Sequence, residues 1–406
     1  MFCANALRGE RPRYGGSMTV ATSIPIAPLT SDPLVFEGFR RGSQARAALA
    51  AAWTHDASFR RWTFTLRGGV TTHEGAPLTA QAAAEALAPM FPDRRWNVEG
   101  ASGLVVQSAR PMPRLLAELA QPGAAIAGTG PFQTEKYEAG RSATLRAVEA
   151  YWGGRPYLDS IELRFGSTAR AQAADLSELA PVDIRRQSQR GRRTWISDPL
   201  DLVALVFDPQ RRLAQSESVR RGLAASVDRA PIANVILQKH GEPTAAIVPN
   251  ALSGYGFLFN AARDAASARR LLASTAGPLL VACDPVDPVL KPIADRIALN
   301  AREAGLVVRV VDRVPADVHL RRVPGEPLDP FLALPHYARA LGLPDPPPAA
   351  SLEELYASER ALLEGGWVAP LFHIPVIYGM AERVRNWPSR DLPPWRFEDV
   401  WLADQQ

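Results

Sequence analysis

Cysteine is almost absent from this chain. Cys3 and Cys283 are the only two in 406 residues, which excludes a disulfide framework and any zinc site built on cysteines. Lysine is nearly as scarce, at Lys136, Lys239 and Lys291 only, so the 46 basic residues are almost all arginine against 42 acidic ones. The net charge of +4 does not concentrate into a polyanion-binding face. The arginines are scattered, with one cluster at Arg185–Arg193, and no aromatic residues interleave with it on which bases could stack. That cluster reads as a solvated loop, and no nucleic-acid partner is expected. No apolar run reaches the ~18 residues that a bilayer span needs. The nearest, Trp367–Ala381, carries His373 and two prolines, so direct membrane insertion is not expected either.

Signatures of chemistry are missing too. The six histidines show neither i,i+4 pairing nor an HExxH spacing, and there is no GxSxG elbow, GxxxxGK[ST] loop or strand-borne GxGxxG. Gly128-Thr129-Gly130 is followed by Pro131, which removes an N–H where a phosphate loop needs one. The sequence therefore offers no catalytic residue, no metal ligand set and no cofactor fingerprint, and the expectation is a protein that is not an enzyme.

What is present is an ordinary folded composition, 47% apolar and 22% charged, in a chain long enough for two to four domains at ~100–200 residues each. Ser17–Ala21 reads as a short strand. In Arg61–Arg67, Trp62, Phe64 and Leu66 alternate with polar residues, the period of a half-buried strand. Gln44–Trp53, rich in alanine, predicts a helix, and Thr79 is placed to cap a second over the run AQAAAEAL. Ala143–Val148 and Ser160–Phe165 predict strands, and the wholly apolar Leu202–Phe207 predicts a buried one. Helices are expected at Ser216–Ala225, Ile232–Gln238 and Ala265–Ala273. Leu279–Ala282, Pro292–Ala304 and Val307–Val311 form a strand–helix–strand unit that predicts a parallel sheet. Leu341–Ala350 is a proline-rich linker before an amphipathic helix, Leu352–Leu363. The class is α/β with more than one sheet.

Several long segments in fixed order resemble a known family. Arg13-Tyr14-Gly15-Gly16 with the strand SMTVA, Ala48–Leu87 with its TFTLR and PLTA elements, and Gly128–Phe165 with GTGPF and YWGGRPYLD are three of them. Leu202–Pro249 and Trp367–Trp387 complete the set. Together they resemble the extracellular solute-binding proteins of family 5, the peptide- and nickel-type binding proteins of ABC importers. The resemblance implies a two-lobed periplasmic-binding-protein fold with an extra subdomain, its mixed sheets joined by two hinge strands. Lobe one is then expected at 7–199, with an inserted subdomain at 30–127 and a return at 372–406, and lobe two at 200–371. It further implies a periplasmic monomer that closes on a short peptide or other small amine-bearing solute and delivers it to an inner-membrane ABC permease.

Ala4-Asn5-Ala6 has the small-x-small form of a signal-peptidase site, without the basic and apolar regions that should precede it. The expectation is an exported chain whose signal peptide is largely missing from this sequence. Cys3 does not sit in a lipoprotein-type box.

Members of the family carry a Gly-Asp-x-x-Asp-Pro pattern whose first acid pairs with the α-ammonium of a bound peptide. Here Gly325, Glu326, Asp329 and Pro330 fit that spacing, with Glu326 replacing the usual Asp. Glu326 is therefore the expected ligand carboxylate, and Asp329 is expected to hold the turn. Ser23 and Ile24, in the loop after the first strand, Trp195 and Tyr255 are further ligand-site candidates by position. An aromatic residue often found before the Gly-Asp element is missing, and the 311–342 region is compressed. Two alternatives stay open. One is a nickel or metallophore binder using His336 and His373. The other is a ligand-sensing module without a transport role, against which the lack of room for a helix-turn-helix before Gly16 counts.

Overall fold

The structure, a computed structural model, describes residues 11–22, 27–36, 45–166, 174–312, 315–325, 328–387 and 397–404. The chain divides into two compact units, Met1–Ser177 with Met380–Gln406, and Glu178–Gly379. The first crossing thus falls at Ser177/Glu178 rather than near Pro199, and the return at Gly379/Met380 rather than near Phe372.

In the first unit, β1 (Ser17–Ala21), β2 (Ala50–His55), β3 (Arg61–Leu66), α1 (Ala80–Leu87), β4 (Arg95–Glu99) and β5 (Gly103–Gln107) come first. They are followed by β6 (Phe132–Glu138), β7 (Ser142–Ala147), β8 (Ser160–Arg164) and the short crossing strand β9 (Leu176–Glu178). One mixed sheet runs β6-β7-β8-β1-β9, antiparallel through β8 and parallel across β8, β1 and β9.

A second, antiparallel sheet runs β2-β3-β5-β4. Its own core of Leu34, Phe64, Leu66, Leu87, Leu104, Val106 and neighbours packs it against α1. Thr79 caps α1 by accepting from the Ala82 amide at 3.1 Å. The segment expected as a helix at Gln44–Trp53 is instead extended, as Arg46–Ala47 and the start of β2. Hairpin closure overrides alanine's helical preference there: the Asp56 carboxylate accepts the amides of Arg60 and Arg61 at 2.9 and 3.0 Å and fixes the turn into β3.

The conspicuous GTGPF and YWGG segments are scaffold. His73 donates from Nε2 to the Gly130 carbonyl at 3.0 Å, and its amide donates to Gly128 at 2.7 Å. Buried Asp32 accepts the Tyr151 hydroxyl at 2.9 Å and the Trp152 indole N–H at 2.7 Å.

The second unit contains β10 (Arg193–Ile196), β11 (Asp201–Phe207), α2 (Glu217–Ser226), β12 (Glu242–Pro243), α3 (Ala265–Leu272), β13 (Leu279–Cys283) and α4 (Leu290–Glu303). It continues with β14 (Val308–Val311), β15 (Val318–Val323), α5 (Pro330–Leu341), α6 (Leu352–Glu364), β16 (Val368–Ile374) and the returning strand β17 (Ile377–Met380). Its sheet runs β12-β16-β11-β15-β13-β14, with β14, β13 and β15 mutually parallel. β11 is buried on both faces. Val203, Leu205 and Phe207 enter a core with α2, α3 and α4, while Leu202 and Ala204 face Leu334, Tyr337 and Leu355 of α5 and α6. A strand covered on both sides must be apolar throughout, which accounts for LVALVF.

Two other expectations are corrected. The 232–238 segment is a π-helical turn over Ile232–Ile236 following Arg229–Pro231, not a regular helix. The arginine cluster is not a loop: it starts in a helix over Ile184–Gln189 and runs through a turn into β10.

Candidate solute site

In the parallel part of the second sheet, the carboxyl ends of β13 and β15 open onto a cavity of about 340 Å³, a common place for ligands in α/β sheets. Asp284, Asp287, Asp312, His319, Arg321 and Arg322 supply its polar lining, with Cys283 and Leu290 beside them. Between β13 and α4 the chain reads Asp284-Pro-Val-Asp287-Pro-Val, and each aspartate folds it locally. Asp284 accepts from the Val286 amide at 2.9 Å and Asp287 from the Val289 amide at 2.8 Å, so the loop is wound by its own side chains.

Arg322 is the centre of the site. Val318 and Leu320 of β15 point into the core, and the strand period carries Arg322 onto the same face. A guanidinium so placed must be paired. Its Nε donates to Asp201 Oδ2 at 2.8 Å, and Nη2 lies 2.8 Å from the same oxygen. Nη1 donates to Glu178 Oε1 at 3.0 Å and lies 3.7 Å from Asp287 Oδ2. Burial pushes the Asp201 and Asp287 carboxyls up despite Arg322, and the three acids raise the guanidinium's pKa against the opposing effect of its own burial. Asp201 extends the network, since its Oδ1 accepts the Gly325 amide at 3.1 Å. A Cβ at Gly325 would stand 2.4 Å from the Leu200 carbonyl oxygen, so only glycine lets the two backbones meet there.

Those of the residues expected at the site from the sequence that are described do not line this cavity. Glu326, Ser23 and Ile24 lie outside the described residues. Asp329 caps α5, its Oδ1 accepting from the Phe331 amide at 2.8 Å. His336 engages the Pro324 carbonyl at 2.8 Å, just ahead of Gly325. Trp195 is buried in β10, its ring 5.9 Å from that of Tyr378. Tyr255 is buried against Phe259 and Tyr356, its hydroxyl donating to Glu359 at 2.8 Å. His373, fully buried in β16, donates to the Ile247 carbonyl at 3.0 Å. Among the described residues, no group of three or more His, Cys, Asp or Glu is arranged to hold a metal ion, and no helix is long and apolar enough to cross a membrane. Sequence reasoning missed Glu178, Asp201, Asp287 and Arg322. A charge in phase with Val318 and Leu320 was the signal available for Arg322.

Comparison with known proteins agrees with this architecture. Residues 101–333 match the family described as bacterial extracellular solute-binding proteins, family 5 Middle. The probable D,D-dipeptide-binding periplasmic protein DdpA of Escherichia coli (strain K12) is 21% identical over 261 residues, covering 54% of this chain and 51% of that protein. The chain spans about half or less of the length of such curated relatives.

Among solved structures, the ABC transporter-associated periplasmic binding protein DppA from Helicobacter pylori, in complex with the peptide STSA, superposes with a TM-score of 0.82 at 15% identity, covering 97% of this chain and 99% of that one. NikA from Brucella suis, in complex with Fe(III)-EDTA, gives 0.75 at 18% identity, covering 96% and 100%. These likenesses show the fold, and the match over residues 101–333 shows the family. The chain belongs to the family 5 bacterial extracellular solute-binding proteins.

Proposed function

We propose that this chain is the periplasmic solute-binding component of an ABC importer, capturing a short peptide or other small amine-bearing solute and presenting it to an inner-membrane permease. It performs no chemistry, needs no cofactor and acts as a monomer. The observation that carries this reading is the charge of the cavity. Asp284, Asp287 and Asp312 line it, whereas of its two arginines Arg322 is already engaged by Asp201 and Glu178 and Arg321 donates to the Ala340 carbonyl. A lining with three carboxylates, Asp287 partly buried and Asp284 and Asp312 exposed, beside arginines that are already engaged favours a ligand that brings a positive group. Glu326 supplies a further carboxylate in this reading. Its assignment rests on the spacing of residues 325–330, flanked by Gly325, whose amide is held by Asp201, and by Asp329 at the start of α5. The nickel alternative is the weaker one, because His336 and His373 each engage a backbone carbonyl.

Native mass spectrometry of protein purified without denaturation, together with a thermal-shift screen of di- to pentapeptides, tests the proposal. A one-to-one small-molecule adduct carrying an amine, or stabilisation by members of the screen, is expected. Absence of both, or an adduct without a basic group, would contradict it.

A further inference from the structure

The three acids around Arg322 belong to three different segments. Glu178 ends the crossing strand β9, Asp201 opens β11, and Asp287 sits in the loop on the cavity wall. Asp201 engages Nε and Nη2, whereas Nη1 donates to Glu178 at 3.0 Å and lies 3.7 Å from Asp287, an ion-pair distance beyond a hydrogen bond. The crossing strand thus takes a hydrogen bond from Nη1, while the cavity wall attracts the same guanidinium by charge alone. All four side chains are at least four-fifths buried, with exposures of 14% for Arg322, 20% for Glu178, 10% for Asp201 and 16% for Asp287, so the competition is only weakly screened by solvent. On its other side β9 is preceded by Asp175, which Arg383 holds through two hydrogen bonds at 2.6 and 2.7 Å. Only Leu176 and Ser177 separate the two anchored acids.

We propose that Arg322 is a positioning residue that couples occupancy of the cavity to the first crossing strand. When a cationic group of the solute takes up the Asp287 carboxylate, the competing charge on the guanidinium is neutralised and its existing hydrogen bond to Glu178 tightens. The solute thus reports its presence through an ion pair that it does not itself touch. This inference rests on the reading of the cavity as the solute site, but its first test needs no solute. Asp287→Asn mimics a neutralised carboxylate and keeps the oxygen that accepts the Val289 amide, and Asp287→Ser is a second variant that retains an acceptor.

Hydrogen–deuterium exchange of the full chain is read at the backbone amides of residues 176–179. Either variant is expected to slow exchange there by roughly threefold or more. Glu178→Gln is expected to speed it, and the protection is expected to vanish in the double variant Asp287→Asn/Glu178→Gln. Unchanged exchange in both single Asp287 variants, or protection that survives removal of the Glu178 charge, would overturn the coupling. Addition of trialanine to the unaltered chain should reproduce the protection. A peptide that fails to bind counts against the solute reading and leaves the comparison of variants intact, so the two failures are distinguishable.

Discussion

Glu359 of α6 and His373 of β16 hold the two polar groups of a single residue, Ile247. The Ile247 amide donates to the Glu359 carboxylate and its carbonyl accepts from His373 Nε2 at 3.0 Å, while the Val248 amide and the Tyr255 hydroxyl also donate to Glu359. Burial dominates both groups. It pushes the Glu359 carboxyl from 4.5 up to about 7 and the His373 imidazole from 6.5 down to about 4.

The two shifts act on stability with opposite signs. From about pH 4.5 to 7 the folded chain holds more protons at Glu359 than the unfolded chain does, so this group makes stability fall as pH rises. From about pH 4 to 6.5 the unfolded chain holds more protons at His373, so stability rises with pH. Each slope approaches about 1.4 kcal/mol per pH unit at its steepest, and they largely cancel where the windows overlap. Glu359→Gln should therefore show stability rising with pH across the overlap relative to the unaltered chain, and His373→Gln should show it falling. Urea unfolding near both ends of the overlap measures this, and parallel profiles for the two variants would contradict it.

The second prediction concerns Gly130. A Cβ there would stand 2.4 Å from the Ser31 nitrogen and the Thr30 carbonyl carbon, and 2.8 Å from the Leu29 oxygen, all backbone atoms. Gly130→Ala should cost about 1–3 kcal/mol as neighbouring backbone is displaced. Gly123→Ala, whose Cβ meets nothing within 4 Å, should stay within about 0.5 kcal/mol of the parent. Thermal unfolding of the two variants distinguishes them, and equal midpoints would show that the GTGPF turn is not held as described.

The third concerns Arg322. Replacing it by alanine leaves Asp201 and its neighbours buried without their cation, and should destabilise the second unit by about 3–5 kcal/mol. Arg221→Ala removes an exposed i,i+4 pair with Glu217 and should change stability by less than about 0.5 kcal/mol. Denaturant unfolding monitored in both variants provides the comparison. A cost for Arg322 as small as that for Arg221 would remove the network from the account.

Much of the scaffold was legible because its signals are local. Thr79 three residues ahead of the amide it caps, the period-two pattern of β3 and the β13–α4–β14 unit can each be read within a short window. Alanine-rich 45–53 misled for the complementary reason, since its conformation is set by pairing with β3 beyond the Asp56 turn. The first domain boundary was misplaced because the crossing strand is only Leu176-Ser177-Glu178, too short to show a period. The Arg322 network was invisible as a network: its partners Asp201 and Glu178 lie 121 and 144 residues away, and a spacing rule cannot join them. The family resemblance supplied Glu326 and Asp329 from one short motif. It gave no hint that Asp201 would hold Gly325 beside them.

Glu326 allows a fourth test. Glu326→Gln should weaken binding of an amine-bearing ligand by about 1.5–3 kcal/mol if its carboxylate accepts a charge-assisted hydrogen bond. It should leave the melting temperature of the unliganded chain unchanged. Affinity unchanged in a fluorescence titration would take Glu326 out of the site while leaving the cavity acids in place.

The central claim is that this chain binds its solute through a positive amino group, and the direct measurement is a calorimetric titration with one peptide in two forms. A tripeptide that stabilises the protein in the thermal screen is titrated with its amino terminus free and then N-acetylated. The account predicts saturable one-to-one binding of the free form and at least about a tenfold loss on acetylation. Equal affinity for the two forms would contradict it.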